Sequence, residues 1–300
     1  MLALGQGQAI AATINVGGGC SLIDAITAAN TDSATGGCTV GSGADTISLP
    51  ASSTHTLTAI NNNTYDPTGL PVIRTTITIE GNGSTITRDS GAADFRIVAI
   101  ASSGNLTLQE TTLSGGVTAN FGRGGGVFNL GSLTLTDSTI TGNSAYDDGG
   151  GVYNGGGTVT LSNSTISGNT GINGGGVWNF PGTATLSNST ISGNTAYSGG
   201  GVSNIYGTAT LSNSTISGNT ARVRGGGVYN GGGTITLSNS TISGNSAYDS
   251  GGGVHNIDSA ATLSNSTISG NSAGSSGGGV YNDSSTATLS RTLISGNTAD

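Results

Sequence analysis

The chain has 300 residues, of which 56 are glycine and only 7% are charged; lysine is absent and the net charge is −8. An acidic chain with a few scattered arginines excludes a phosphate-tracking nucleic-acid surface, and no apolar run approaches the roughly 18 residues of a membrane helix. Glycine at this level would suit disorder, but apolar residues make up 33% of the chain and recur at fixed positions, which a disordered tract does not require.

Residues 1–11 end in the small-x-small tripeptide Ala9-Ile10-Ala11. They read either as the tail of a secretory signal or as an ordinary Ala-rich terminus. Residues 12–45 come next as an N-terminal cap whose one convincing helix is "CSLIDAITAAN", Cys20 to Asn30. Ser21 can cap the amide of Asp24 while Asp24 reaches back, and Leu22, Ile23 and Ile26 give a short apolar face. Cys20 and Cys38 are the only cysteines, and in a secreted chain they would most simply pair. Two thiols without a nearby His do not make a tetrahedral site, so neither a metal nor a cofactor is expected.

"CSLIDAITAANTDSATGGCTVGSGADTISLP", continued by "LPVIRTTITIEGNGSTITR" and "FRIVAIASSGNLTLQETTLSGG", resembles the CSLREA domain at the start of many bacterial secreted β-helix proteins. The likeness covers about Cys20 to Gly116 and departs at Ile23 and Asp24, where the family motif has Arg and Glu. It implies a secreted or surface-displayed right-handed parallel β-helix and carries over no catalytic residue. Residues 46–123 are accordingly expected to form irregular β-helix turns.

Residues 124–300 are a regular array. Its valines, Val127, Val152, Val177, Val202, Val228, Val254 and Val280, are spaced by 25 residues three times and then by 26 three times. Leu161 and Ile166 recur with the same period in the other turns, and a period of this length marks a solenoid. Each repeat reads as three short strands, "GVYN", "TVTLSN" and "STISGN", with Val152, Val159, Leu161 and Ile166 inward and Thr158, Thr160 and Ser162 outward. The fold class is therefore an all-β parallel β-helix, three strands and 25–26 residues per turn, with a short capping helix. About ten turns would give a rod of ~50 Å. Two asparagine columns, led by Asn129 and Asn143, are expected to stack as amide ladders. The recurring "NST" is taken as a by-product of the repeat, not a glycosylation signal.

Two outward columns are candidate binding surfaces. One is an aromatic stripe, Phe128, Tyr153, Trp178, Tyr229, His255 and Tyr281, interrupted by Ser203. Flat rings ~5 Å apart would stack sugars or grip a protein, or merely stabilise the sheet by stacking. The other is a T-x-T array, Thr158 and Thr160, Thr183 and Thr185, Thr208 and Thr210, Thr234 and Thr236. It looks like the ice-binding face of β-solenoid antifreeze proteins, although Thr is also simply a good exposed strand residue.

Parallel β-helices also include polysaccharide lyases and hydrolases, whose pectin-lyase-like chemistry needs acid and base groups converging from neighbouring turns. Asp147 and Asp249 occupy equivalent loops four turns apart, ~19 Å at the usual strand spacing. Asp147 and Asp148 are expected to pair with Arg123, and Asp249 with Arg224, as solvated ion pairs. His55 and His255 show no serine–carboxylate neighbourhood in the sequence, so no catalytic residue is assigned. "GGGVYN" and "TISGNSA" are similar to the GG-x-[IV] and F-x-x-N units of polymorphic outer-membrane proteins, with Ile replacing Phe. That likeness implies an extracellular or cell-surface stalk or adhesin, its partner a glycan or a surface protein. The chain ends at "ISGNTAD", where another glycine triplet is due. It is therefore read as a fragment, or as a chain whose uncapped last turn meets another copy end to end.

Overall fold

The structure, a computed structural model, describes residues 11–300. The secretory-tail expectation for residues 1–11 thus falls almost wholly outside the described residues. The described chain is an all-β parallel solenoid of about nine turns with one short helix near its start, a rod of ~43 Å and so slightly shorter than expected.

The strands form where the sequence alternates. In the turn opening at Gly149 they are Val152–Gly155, Thr158–Ser162 and Thr165–Ser167. Alternation sends Val152, Val159, Leu161 and Ile166 inward, and none has exposed surface. The next turn sits on this one in parallel register: Val152 on Val177, Leu161 on Leu186, Ile166 on Ile191. Each turn therefore contributes one layer to a single apolar column running through the rod.

Corners are set by backbone conformation. Asn163, Asn188, Asn213, Asn239 and Asn265, the first residue of each "NST", have φ of 49–50°, a left-handed corner that Asn tolerates better than most residues. Asp137 and Arg291 hold the same corner in the first and last turns. Within each glycine triplet the first residue has positive φ, as at Gly174 with 61°. The second is excluded from carrying a side chain by the next turn. A Cβ on Gly175 would lie 2.5 Å from the Thr195 carbonyl oxygen and 2.6 Å from that of Gly200.

Two features differ from three strands per turn. In the N-terminal turns, Thr76–Arg88 and Asn105–Ser114 run through the second corner as single bent strands, and from Ser132 onward that span is split in two. A fourth, five-stranded column runs from Thr195–Ser198 to Thr298–Ala299. It forms where Ala196, Ala221, Ala247 and Ala273 turn inward, at 2–5% exposure. Nearer the N-terminus the same place carries only isolated bridges, such as Ser144 with Thr170.

The helix runs Leu22–Thr31 and packs Leu22, Ala25, Ile26, Ala28 and Ala29 on the same core; Ile23, expected on that face, is only half-buried. Ser21 caps it, its Oγ accepting from the Asp24 amide at 3.1 Å and its hydroxyl donating to the Asp24 carboxylate at 2.6 Å. The reach back thus goes to the hydroxyl instead of the backbone. Cys20 and Cys38 form a disulfide with Cα atoms 4.6 Å apart. Before the helix, Thr13–Asn15 already pairs with Asp45–Ser48, which pairs with Thr76–Arg88. Among the described residues no helix is long and apolar enough to cross a membrane.

Candidate functional site

Polar columns inside the rod fix the height and spacing of everything outside it. Asn129, Asn154, Asn179, Asn204, Asn230, Asn256 and Asn282 donate side chain to side chain up the axis at 2.7–2.8 Å. A second amide ladder runs from Asn143 to Asn297; in it each Oδ1 from Asn169 on also accepts the backbone N–H of the Asn in the preceding turn, as Asn194 does from Asn169 at 2.9 Å, and Asn143 Oδ1 accepts from Gly116. Both columns were expected. A third was not: the serine of each "NST" turns inward, and the Ser189 Oγ accepts from the Ser164 amide at 3.2 Å, a contact copied in turns on either side. Apart from Asn282 and Asn297 in the last turn, these groups are buried and are satisfied by one another, leaving nothing free to bind a ligand.

The aromatic stripe is a ladder too, and its rings are less available than the sequence suggests. Phe128 stacks on Tyr153 at 4.9 Å and Tyr153 on Trp178 at 4.7 Å, while Tyr229, His255 and Tyr281 stack in turn at 5.3 and 4.9 Å. Tyr153, Trp178 and His255 are buried; Phe128, Tyr229 and Tyr281 are half-buried. Tyr65 covers the outer face of Phe128, and the Arg96 guanidinium lies 4.8 Å from the same ring. Arg123 lies over Tyr153 and donates to its hydroxyl at 3.2 Å. At Ser203 the stack is interrupted, and Phe180 tilts against Trp178 at 5.0 Å. A sugar ring meets the edges of this column, not its faces.

Charged and titratable groups gather at two heights. At the first, Arg123 is 3.1 Å from Asp147 and 3.6 Å from Asp148. Asp148 is nearly enclosed, so burial raises its pKa, partly opposed by a 2.9 Å hydrogen bond from Asn173. At the second, Arg224 lies 3.6 Å from Asp249 with both side chains exposed. The expected pairing thus holds at both, though Asp148 is not solvated as expected. His255 is lowered to about 4, chiefly by burial and next by the Arg224 charge.

The serine partners of the histidines were missed from the sequence. Ser250 Oγ lies 3.1 Å from His255 Nδ1, and Ser53 Oγ lies 2.9 Å from His55 Nε2. Ser53 and Ser250 each lie within five residues of their histidine, but in loops whose course the repeat does not predict. Among the described residues no carboxylate hydrogen-bonds either imidazole, and His255 Nε2 has no partner. The third member that orients a nucleophile–base pair is therefore not assembled. Nor do three or more His, Cys, Asp or Glu side chains among the described residues gather as a metal site.

The T-x-T face is regular. Thr158, Thr183, Thr208 and Thr234 are exposed and paired in register, and Thr160, Thr185, Thr210 and Thr236, half-buried, run beside them. Ala260 breaks the outer column. Another column was not evident from the sequence: the residue three after each ladder Asn points outward beyond the fourth strand position. Tyr146, Ile172, Tyr197 and Tyr248 hold it with 52, 42, 51 and 82% exposure. A fixed offset from the asparagines was the signal available.

One family model, that of the Chlamydia polymorphic membrane protein repeat, matches residues 137–155. The matched stretch begins at the corner residue Asp137 and carries the ladder residue Asn143, Tyr146, the Asp147–Asp148 pair, the glycine triplet and Tyr153. No curated protein matches the chain. The matched segment covers most of one turn, in a register that the other turns copy, so the array is built of repeats like those of polymorphic membrane proteins.

Proposed function

We propose that the chain is the β-helical passenger of a bacterial cell-surface protein, a stalk or adhesin that contacts its partner without catalysis. The observation that carries this reading is the repeat match at residues 137–155, set in an array whose polar groups are spent on holding successive turns together. A rigid rod displays side chains at fixed height intervals, which suits recognition of a glycan or a surface protein. The carboxylates that do gather, Asp147 and Asp148, are held by Arg123 and Asn173, which argues against the lyase or hydrolase alternative, whose chemistry needs free acid and base groups. The test is surface display by cells expressing the intact gene. Protease added to unbroken cells should remove the Gly124–Asp300 epitopes; if these yield only after lysis, the reading fails.

A second reading is supported by the registered threonines. Rows of hydroxyl and methyl groups ~6.8 Å apart along the strand and ~4.8 Å apart between strands form a flat ordered face suited to ice. Thermal hysteresis or inhibition of ice recrystallisation tests it, and no activity at high protein concentration removes it.

A further inference from the structure

A row of exposed large side chains runs along one edge of the array, beginning beside Phe121. Phe121, Tyr146, Ile172, Tyr197 and Tyr248 are each 42–82% exposed, and Arg222, exposed as well, fills the turn between the last two tyrosines. The register places them: Ala196 pairs with Ala221 and Ala221 with Ala247, so Arg222 and Tyr248 stand in step, while a one-residue bulge after Ala196 sets Tyr197 beside the Arg222–Val223 step. Their inward neighbours are buried alanines, and alternation leaves the next side chain no direction but outward.

This row differs from the buried aromatic ladder in two respects. Among the described residues, Tyr197 and Tyr248 stack on no other ring, and Tyr146 meets only the edge of Phe121, at 5.4 Å and 68°. No stacked ring covers them, and Tyr146, Tyr197 and Tyr248 keep 52, 51 and 82% of their surface exposed. Further, the tyrosines occur on alternate turns, which sets them ~9.6 Å apart along the axis at the usual strand spacing. That is about the length of one disaccharide of an extended β-linked chain. Arg123 pairs with Asp147 and Asp148 and Arg224 with Asp249, and with Arg222 in the row the edge from Phe121 to Asp249 carries three charges of each sign on a chain of net charge −8. Above Tyr248 the equivalent residue is Gly274, and both line an open hollow of about 780 Å³ together with Val223, Thr298 and Asp300.

We infer that this edge binds an extended, uncharged β-1,4-linked polysaccharide, with successive sugar pairs laid on Tyr146, Tyr197 and Tyr248. Sugar rings present an apolar C–H face that packs on an exposed aromatic ring, while their hydroxyls stay hydrated at the sides. A globular protein is the poorer fit, because a stable protein interface needs roughly 800 Å² per partner around a buried centre, and a single-file row supplies none. A polymer with a repeating unit meets all three rings at once, and each added ring raises the effective concentration at the next. The inference rests on the surface-passenger reading only for access to such a polymer. Its failure would leave that reading intact, since display on cells is measured separately.

The test is affinity gel electrophoresis of the whole chain in hydroxyethyl cellulose, with dextran as the control matrix and titration with cellohexaose for affinity. The expected result is retardation in the β-1,4 glucan alone, weakened at least tenfold in the Tyr146→Ala/Tyr197→Ala/Tyr248→Ala variant. A second variant, Ile172→Tyr/Tyr197→Ala, keeps the number of rings and breaks their two-turn period; it should bind no better than Tyr197→Ala. All these positions are exposed, and unchanged Trp178 fluorescence reports that the variants are folded. The inference is overturned by no retardation in the glucan, by equal retardation in dextran, or by full binding in the triple variant.

Discussion

Removing one inner asparagine measures what holds the rod together. In Asn194→Ala four hydrogen bonds disappear: those from the Asn169 amide and side chain to Asn194 Oδ1, at 2.9 and 3.0 Å, and those from Asn194 Nδ2 to the Ile166 carbonyl and Asn219 Oδ1, both at 3.0 Å. The Asn169 amide then has no other acceptor and no route to water. An orphaned buried N–H costs about 1–3 kcal/mol and each ordinary lost bond less, so the sum is about 3 kcal/mol. For a chain of 300 residues unfolding as a unit, that lowers the melting temperature by about 5 °C. Trp178, the only tryptophan and 8% exposed, supplies the readout as a shift in emission on heating. Asn188 is the control from the same turn, an exposed corner residue with φ 49°; Asn188→Gly should move the midpoint by less than about 1 °C, since glycine accepts that conformation freely. Equal shifts in the two variants would refute the assignment of stability to the internal ladder.

The folded pKa of His255, about 4, lies below the value near 6.5 of an unfolded histidine. The unfolded chain therefore takes up the proton first, and the associated stability, present above pH ~6.5, is lost as pH falls towards 4, by about 3 kcal/mol. His255→Tyr keeps a flat ring between Tyr229 and Tyr281 and should flatten the dependence of urea midpoint on pH in that window; an unchanged slope counts against it. Reduction of the Cys20–Cys38 disulfide, which closes a separation of 18 residues, should destabilise the N-terminal end by about 3 kcal/mol. Hydrogen exchange would register this as faster exchange in the Leu22–Thr31 helix than in the array. Gly175→Ala, forced against the Thr195 and Gly200 carbonyls, should cost more than Gly193→Ala. At Gly193, with φ 62° and open space around it, only left-handed strain of about 1–2 kcal/mol applies. Thermal melts of the pair decide the order.

The inner half of the fold was legible because it is periodic. Val152, Leu161, Ile166, Asn154 and Asn169 each recur once per turn, and a parallel register sets like on like, so a column in the sequence is a column in space. Contacts outside one turn's own strands were harder to see. Trp178 reads as outward from alternation alone, but alternation does not reveal that Tyr153 and Phe180 occupy its faces. Arg96 and Asp66, 3.1 Å apart, belong to the irregular turns where no period aligns them. Ser164 and its equivalents were passed over when "NST" was taken as a by-product of the repeat, although their inward path follows the left-handed corner at Asn163. The Tyr146, Tyr197 and Tyr248 row was periodic at two turns instead of one, and a search for one-turn columns passes over it.

The sameness of successive turns has a consequence for how such a molecule changes length. Deleting residues 152–176 would bring Val177 onto Val127 and Asn179 onto Asn129, reproducing contacts that already exist between every other pair of turns. The rod can thus lose or gain single storeys with little penalty to folding. The surface does not share that tolerance. Removing the one storey between Tyr146 and Tyr197 puts two rings on adjacent turns, whereas removing two successive storeys takes one ring with them and keeps the alternation of the rest. The interior therefore counts in ones and the edge in twos, and only changes of even number pass both.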